Sequence, residues 1–243
     1  MSDTAITKDA WKFKDLPEHH YFEEAYFKRH EKKYRVLQEI ISALPGVTKI
    51  LDIGIGTGVF YTVFPDREKY EIQGVDIVSD FNDLLKSRGI RSDIVDINKD
   101  KLPYEDGTFD LVICDSLLEH SLNPRNVSSE LTRVLKPGKF LILGTPNILS
   151  ARARLNYFRG RNPFWPLIDN LYSLDYQRRC AVFYSLKEIL YILPKSMHAR
   201  KALFLDETHN DPRTFSVYLC RFISSLIPSL RDSVMVVAEK STA

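Results

Sequence analysis

The stretch Lys49-Ile50-Leu51-Asp52-Ile53-Gly54-Ile55-Gly56-Thr57-Gly58-Val59-Phe60 decides how the chain is read. Ile50, Leu51 and Ile53 form an apolar run without polar alternation, the pattern of a strand covered on both faces. Glycine stops it. Gly54, Gly56 and Gly58 let the backbone turn sharply and let a ligand approach without meeting a β-carbon, and a helix opening at Val59 is expected to point free N–H groups at the turn. The spacing is G-x-G-x-G with an acid two residues before the first glycine, whereas a dinucleotide fingerprint needs G-x-G-x-x-G. A carboxylate there clashes with a pyrophosphate and suits a ligand end that carries a cationic amino group. Taken by itself the loop also fits a plain strand-to-helix turn, so the rest of the chain has to decide.

Length and composition narrow the classes. The 243 residues carry a formal charge of only +2, so any acidic partner must be caught by a local patch. Cys114, Cys180 and Cys220 are odd in number and far apart, which points to free thiols in a reducing compartment. Residues 1–14 mix acids with lysines around no apolar core, so no signal peptide is expected there. No uninterrupted apolar stretch is long enough for a bilayer, and a cytoplasmic location is expected.

Outward from the glycine loop, strands and helices alternate. Before it, Val36, Leu37, Ile40, Ile41 and Leu44 recur at helical spacing and stop at Pro45-Gly46. The front of that helix holds Tyr21, Phe22, Tyr26 and Phe27 among charges, aromatics that either cover a pocket as a lid or pack on the sheet. After the loop, 71–75 reads as a second strand ending at Asp76, an acid placed to accept hydrogen bonds from ribose hydroxyls. A helix cap is the other role open to it. A short helix over 81–86, a third strand over 90–95 ending at Asp96-Ile97, and a fourth over 109–114 ending at Asp115-Ser116 follow. Asn123 is an N-cap with Pro124 at the first helical position, and Lys136-Pro137-Gly138 closes that helix before a fifth strand over 140–143. Successive strands ending in polar groups at one edge define a ligand site outside the carboxyl ends of a doubly wound sheet.

These residues carry a family resemblance. Leu102-Pro103-Tyr104-Glu105-Asp106-Gly107-Thr108-Phe109-Asp110, Leu118-Glu119-His120, Glu130-Leu131-Thr132-Arg133-Val134-Leu135-Lys136-Pro137-Gly138 and Thr145-Pro146-Asn147 follow one another in the order of a class I S-adenosylmethionine-dependent methyltransferase. The chain resembles that family over about 49–147, departing from it at Ile55, where cysteine is common, and at Lys139, where a second glycine is common. The resemblance implies an α/β, mostly parallel seven-stranded sheet with helices on both faces, a Rossmann-like methyltransferase fold. It implies S-adenosylmethionine as cofactor and S-adenosylhomocysteine as product. Asp52 with Gly54, Ile55, Gly56, Thr57 and Gly58 would hold the methionine end, Asp76 and Ile77 the ribose side, Asp96 and Ile97 the adenine, and Asp115 and Ser116 the wall beside the amino acid portion.

A single domain over 1–243 is expected, with an N-terminal helical lid at about 15–45 and a substrate-side insertion at about 146–184. The insertion interleaves Arg152, Arg154, Arg159 and Arg161 with Tyr157, Phe158, Phe164 and Trp165. Guanidinium forks suit phosphate or carboxylate, so an anionic acceptor is expected: a small metabolite, a sugar or a lipid-linked intermediate, with Tyr21, Tyr26 and Asn147 as further candidate contacts. Arginine stems covering apolar surface are the bland reading of the same pattern. Nucleic acid, though arginines with aromatics hold single strands, is disfavoured. His120 is the candidate general base if a hydroxyl is methylated; shaping the helix after the fourth strand is the competing role for Glu119-His120. Beyond the insertion, Ser185 and Glu188 fit a capping box, 201–205 a sixth strand and 234–238 a closing strand. The stretch 215–227 is an amphipathic helix interrupted by Arg221 and Pro228, expected to pack on the domain rather than anchor in a membrane, with a peripheral lipid contact as the other reading. No metal-ligand spacing is present, and His19 and His20 match no metal motif. A cofactor-binding partner without chemistry is the alternative function, since folds of this kind outlive their reactions.

Overall fold

The computed structural model describes residues 19–161, 182, 184–206 and 215–242, and side chains from residue 27 onward except those of residues 29 and 215–217. Along the chain come helix α1 (His19–Ala43), strand β1 (Lys49–Ile53), strand β2 (Glu71–Asp76), helix α2 (Asn82–Ser87), strand β3 (Arg91–Ile94), strand β4 (Phe109–Asp115) and helix α3 (Pro124–Val134). Strand β5 (Leu135–Pro146), helix α4 (Ala151–Phe158), helix α5 (Leu186–Ile192), strand β6 (Met197–Leu205), helix α6 (Phe215–Leu226) and strand β7 (Ser233–Lys240) complete it. The seven strands lie in the order β3-β2-β1-β4-β5-β7-β6, all parallel except β7, which is antiparallel to both neighbours.

Strand periodicity sends alternate side chains into two separate cores. Ile50, Leu111, Ile113, Met235 and Val237 meet Leu37, Ile40 and Ile41 of α1 on one face. Leu51, Val112, Cys114, Val234 and Val236 meet Val127 and Leu131 of α3 and Ile189 of α5 on the other. Burial on both faces is why β1 and β4 read as continuous apolar runs. At the amino ends, the Asp110 carboxylate accepts from Thr48 and Lys49 backbone N–H groups (3.1 and 3.0 Å) and from Lys136 (2.9 Å), tying β1, β4 and β5 together.

Several expectations need correction. The segment after the glycine loop is a single 3-10 turn, Val59–Thr62, rather than a helix. Its β-branched and aromatic residues are poor helix formers, Pro65 follows closely, and Val59, Phe60 and Tyr61 are buried. Among the described residues no α-helix therefore opens from the loop. β5 begins at Leu135 instead of Phe140, because Pro137 and Gly138 are absorbed at a register shift where Phe109 pairs with Leu135 and Leu111 with Phe140. The expected caps are present: Asn123 accepts from the N–H of Asn126 (3.3 Å) with Pro124 behind it, and Glu188 accepts from Ser185 N–H (2.6 Å).

Candidate functional site

At the carboxyl edge of the sheet the glycine loop is lashed to β2. Gly54 and Ile55 donate to the Val75 carbonyl (2.7 and 3.2 Å), and Gly56 donates to Asp76 Oδ2 (2.8 Å). Gly54, Gly56 and Gly58 have φ of 75°, 55° and 70°, the left-handed region that favours glycine. Their surroundings differ. A β-carbon on Gly54 would meet Leu117 at 2.6 Å and one on Gly58 would meet Leu85 at 2.7 Å, whereas one on Gly56 would meet nothing within 4 Å. Gly54 and Gly58 are thus packing glycines, and Gly56 turns its bare face to open space at the edge where a ligand would lie.

Asp52, Asp76 and Asp115 converge there. Asp76 accepts from Gly56 through one oxygen and from Val78 N–H (3.0 Å) through the other, leaving a second lone pair on each for an outside donor. Burial pushes the Asp52 carboxyl up to about 8; the Tyr61 hydroxyl pulls it down, and the Asp115 and Asp76 charges push it further up. The Tyr61 hydroxyl lies close enough to lower that value, yet makes no hydrogen bond of normal geometry. Asp115 Oδ1 is buried without a hydrogen-bond partner. A crowd of carboxyls with one orphaned oxygen lacks positive charge.

Part of that charge comes from a residue that sequence reasoning passed over. Lys33 of α1 is 3% exposed and its Nζ reaches Asp115 Oδ2 (2.8 Å) and Ser116 Oγ (3.0 Å). Ser116 is held at φ 58°, and its N–H donates to the Gly144 carbonyl (2.9 Å). Gly144 of β5 was equally unremarked, although any β-carbon there would collide with the Asp115 carboxylate. Glu119 reads in the sequence only as a motif residue. Buried in the 3-10 turn Leu118–His120, it accepts from Thr145 Oγ1 (3.1 Å), and burial pushes its carboxyl up to about 7, with Asp115 adding to the rise and Lys33 opposing it.

The remaining candidates divide. Ile77 is exposed beside Asp76, an apolar face at the strand tip, while Ile97 is buried in the core. Asp96 is drawn into an ion pair with Lys99 (2.7 Å) and accepts from Asn98 N–H (3.1 Å); these contacts hold its carboxyl below the usual range against the opposing effect of burial. Thr57 and Ile55 lie in the loop, and His120 is half-buried beside Glu119 at the same edge. Asn147 is 2% exposed, and its amide donates to the carbonyls of Ser229 and Arg231 (both 2.9 Å) while accepting from Leu149 N–H (3.0 Å). Its polar atoms are spent inside the frame, latching the approach to β7 rather than meeting an acceptor. Arg154 donates to the Leu149 carbonyl (3.0 Å), and Arg159 and Arg161 are exposed. Tyr21 and Tyr26 are on α1, but their side chains, like Phe164, Trp165 and most of the insertion beyond Arg161, lie outside the described residues. Arg133 explains why two of the motifs travel together: it donates to the carbonyls of Leu102 (3.0 Å) and Tyr104 (2.8 Å), and Glu130 accepts from Leu102 N–H (3.1 Å). Those motif residues build the frame and do not touch the ligand edge.

Among the described residues no group of His, Cys, Asp and Glu could hold a metal ion, and no helix is long and apolar enough to cross a membrane. Neither of two clefts of about 470 and 350 Å3 is lined by Asp52, Asp76 or Asp115; residues that include Glu71, Gln73 and Arg91 line one, and residues that include Tyr61, Arg67 and Arg88 line the other. The carboxyl-edge site rests on its charged groups and loop geometry, which neither cleft shares.

A sheet of order 3-2-1-4-5-7-6 with one antiparallel strand, a glycine loop and acids at its strand tips defines a class I methyltransferase fold. Residues 51–143 match the family model described as a methyltransferase domain. An uncharacterised protein of Methanocaldococcus jannaschii is 34% identical over 94 residues, 39% of this chain and 42% of that protein. Demethylmenaquinone methyltransferase of Bacillus pumilus is 28% identical over 159 residues, 62% of this chain and 68% of that one. The chain spans only about two fifths (42% and 39%) of the first curated relatives it matches. In fold it resembles a S-adenosylmethionine-dependent methyltransferase from Archaeoglobus fulgidus (TM-score 0.58, 21% identity, 92% of this chain and 100% of that). A chain from the complex of the Haloferax volcanii Trm112 methyltransferase activator with a methyltransferase gives a TM-score of 0.62 at 12% identity, covering 92% of this chain and 96% of that.

The residues present fit the family's cofactor. Its ammonium and sulfonium carry the charge that Asp52 and the orphaned Asp115 oxygen lack, and its ribose carries the donors that Asp76 can still accept.

Proposed function

We propose that the chain transfers a methyl group from S-adenosylmethionine to an anionic acceptor. The observation that carries the cofactor half is the convergence of Asp52, Asp76 and Asp115 around the open face of Gly56. Asp76 takes the ribose hydroxyls, Asp52 takes the ammonium in its ionised form, and Ile77 offers an apolar face at the adenine side. Lys33 fixes the Asp115 carboxylate and the Ser116 hydroxyl, so that the wall of the amino acid subsite is oriented before any ligand arrives. When bound, the cofactor supplies a methyl group already activated by its sulfonium. The protein's part is then to hold an acceptor close and dry, and positioning of this kind is worth roughly 7–11 kcal/mol of a barrier.

Support for an anionic acceptor comes from Arg152, Arg154, Arg159 and Arg161, which follow directly on β5 at the edge where the acids gather. His120 is the proposed proton acceptor for a hydroxyl substrate; it stands at the same edge beside Glu119, whose carboxyl titrates near neutrality. The test is a methyl-transfer screen with radiolabelled cofactor over phosphorylated, carboxylated and neutral acceptors. Turnover restricted to the anionic set, falling at least tenfold in Arg159→Ala/Arg161→Ala, supports the reading. Turnover of neutral acceptors unaffected by that variant refutes it.

A further inference from the structure

The carboxyl edge carries an exposed apolar face that methyl transfer does not use, beside the arginines proposed to hold the acceptor. Helix α4 leaves β5 at Pro146, and α6 leads into β7 at Ser233; because Pro146 pairs with Ser233, both helices hang from the edge that holds the acids. They pack against each other, with Arg152 and Arg159 close enough to act electrostatically on Cys220 of α6. Together they present large apolar side chains to solvent. Phe158 is 86% exposed, Tyr157 72%, Leu226 66% and Phe222 63%, with Tyr218 and Ile227 beside them. Tyr218, Phe222 and Leu226 recur every fourth residue and form one continuous stripe along α6. Single exposed apolar residues are ordinary, but a stripe on one helix joined to an aromatic pair on its neighbour is a surface that seeks a partner.

Charge names the partner. Residues 146–161 and 215–230 contain five arginines (152, 154, 159, 161 and 221) and no acid, in a chain whose net charge is +2. Arg154, Arg159, Arg161 and Arg221 are exposed on this rim. Two described acids adjoin this face: Asp206, held by Ser224 (3.1 Å) and Arg231 (3.5 Å), and Asp232, whose charge acts on Cys220 against those of Arg152 and Arg159. Apolar and aromatic side chains ringed by arginine, on a helix face at the border of water, are the composition of an interfacial element that lies on negatively charged lipid. A protein partner of matching acidic character would call for pockets that hold its anchors, and these side chains project instead of enclosing.

We infer that the face shared by α4 and α6 docks on an anionic lipid bilayer and turns the carboxyl edge of the sheet toward it. Aromatics and Leu226 enter the boundary between headgroups and acyl chains, and the arginines pair with lipid phosphates. The acceptor class this favours within the proposed function is a lipid-borne one, presented from the bilayer. The docking itself stands independently of whether methyl transfer takes place.

Sedimentation with sucrose-loaded vesicles tests it, comparing phosphatidylcholine alone with phosphatidylcholine containing about 30 mol% phosphatidylglycerol. Native protein is expected to partition at least about tenfold more strongly onto the anionic vesicles and to be released by salt. Phe158→Ser/Phe222→Ser/Leu226→Ser changes only exposed positions and is expected to lose at least about tenfold of that binding, while its affinity for S-adenosylhomocysteine and its melting temperature stay native. Native protein that ignores anionic vesicles, or a triple variant that binds them as before, overturns the inference. So does a dimer in light scattering that the triple variant dissolves without any vesicle binding, which assigns the face to a second copy of the chain. Vesicle binding without S-adenosylhomocysteine binding would leave the docking face standing and remove the proposed function.

Discussion

Protonation of Asp52 should control cofactor affinity. Its carboxyl is pushed up to about 8 by burial and by the neighbouring Asp115 and Asp76 charges, so the group is mostly neutral at pH 7 in the ligand-free protein. A ligand ammonium interacts well only with the ionised form, and binding must therefore drive the proton off. With a titration midpoint near 8, about half the carboxyls are ionised at pH 8 and about one in a hundred at pH 6. Affinity for S-adenosylhomocysteine should fall about fivefold from pH 8 to 7, and about 50-fold and roughly 2 kcal/mol between pH 8 and 6. Calorimetry in buffers of different ionisation enthalpy measures the same linkage directly and should show release of ~0.9 proton per ligand at pH 7. Asp52→Asn cannot ionise, so its affinity should be lower at pH 8 and level across the range. Native affinity independent of pH, or a slope that survives in Asp52→Asn, would refute the assignment of the ammonium to Asp52.

Stability should carry the same signature with opposite sense. Asp52 and Glu119 are both raised on folding, from 3.8 to about 8 and from 4.5 to about 7, so between about pH 4 and 8 the folded state holds more protons than the unfolded one. The stability of the ligand-free protein should therefore be fullest below pH 4 as far as these two groups decide it, decline through that window, and decline less in Asp52→Asn, as thermal unfolding at a series of pH values would show. Lys33→Met strips the buried Asp115 carboxylate of its ion pair and should cost about 3–5 kcal/mol in denaturant unfolding; adding Asp115→Asn should restore more than half, and a purely additive double variant would argue against the pair. Gly56→Ala places a methyl group in open space at φ 55°, so it should cost only about 1–2 kcal/mol of stability but at least about tenfold in S-adenosylhomocysteine affinity; equal losses would mean that no ligand lies against that face.

Much of this arrangement was legible in the chain because it depends on local rules. Ile50, Leu51 and Ile53 announce a strand buried on both faces, and the acids at positions 52, 76 and 115 mark the ends of their strands. Seven strands and the carboxyl-edge location follow from that alternation. What stayed hidden depends on contacts far apart in sequence. Lys33 lies in a segment crowded with charges, where a lysine reads as solvated, and only the packing of α1 against the sheet drives it to Asp115, 82 positions away. Gly144 looks like an ordinary strand glycine until the Asp115 side chain is placed beside it. Asn147 belongs to a motif, which suggested an acceptor contact, but its amide is consumed by the carbonyls at 229 and 231. The missing helix after the glycine loop has a local cause that propensity could have supplied: Val59, Phe60, Tyr61 and Val63 followed by Pro65 favour burial over helix.

Calorimetric titration of S-adenosylhomocysteine into the native protein and into Asp76→Ala at pH 8 tests the carboxyl-edge site most directly. The account predicts saturable binding by the native chain and at least about tenfold weaker binding by the variant, because Asp76 is the acceptor left for the ribose hydroxyls. No binding by the native protein, or an Asp76→Ala variant that binds as tightly, would contradict it.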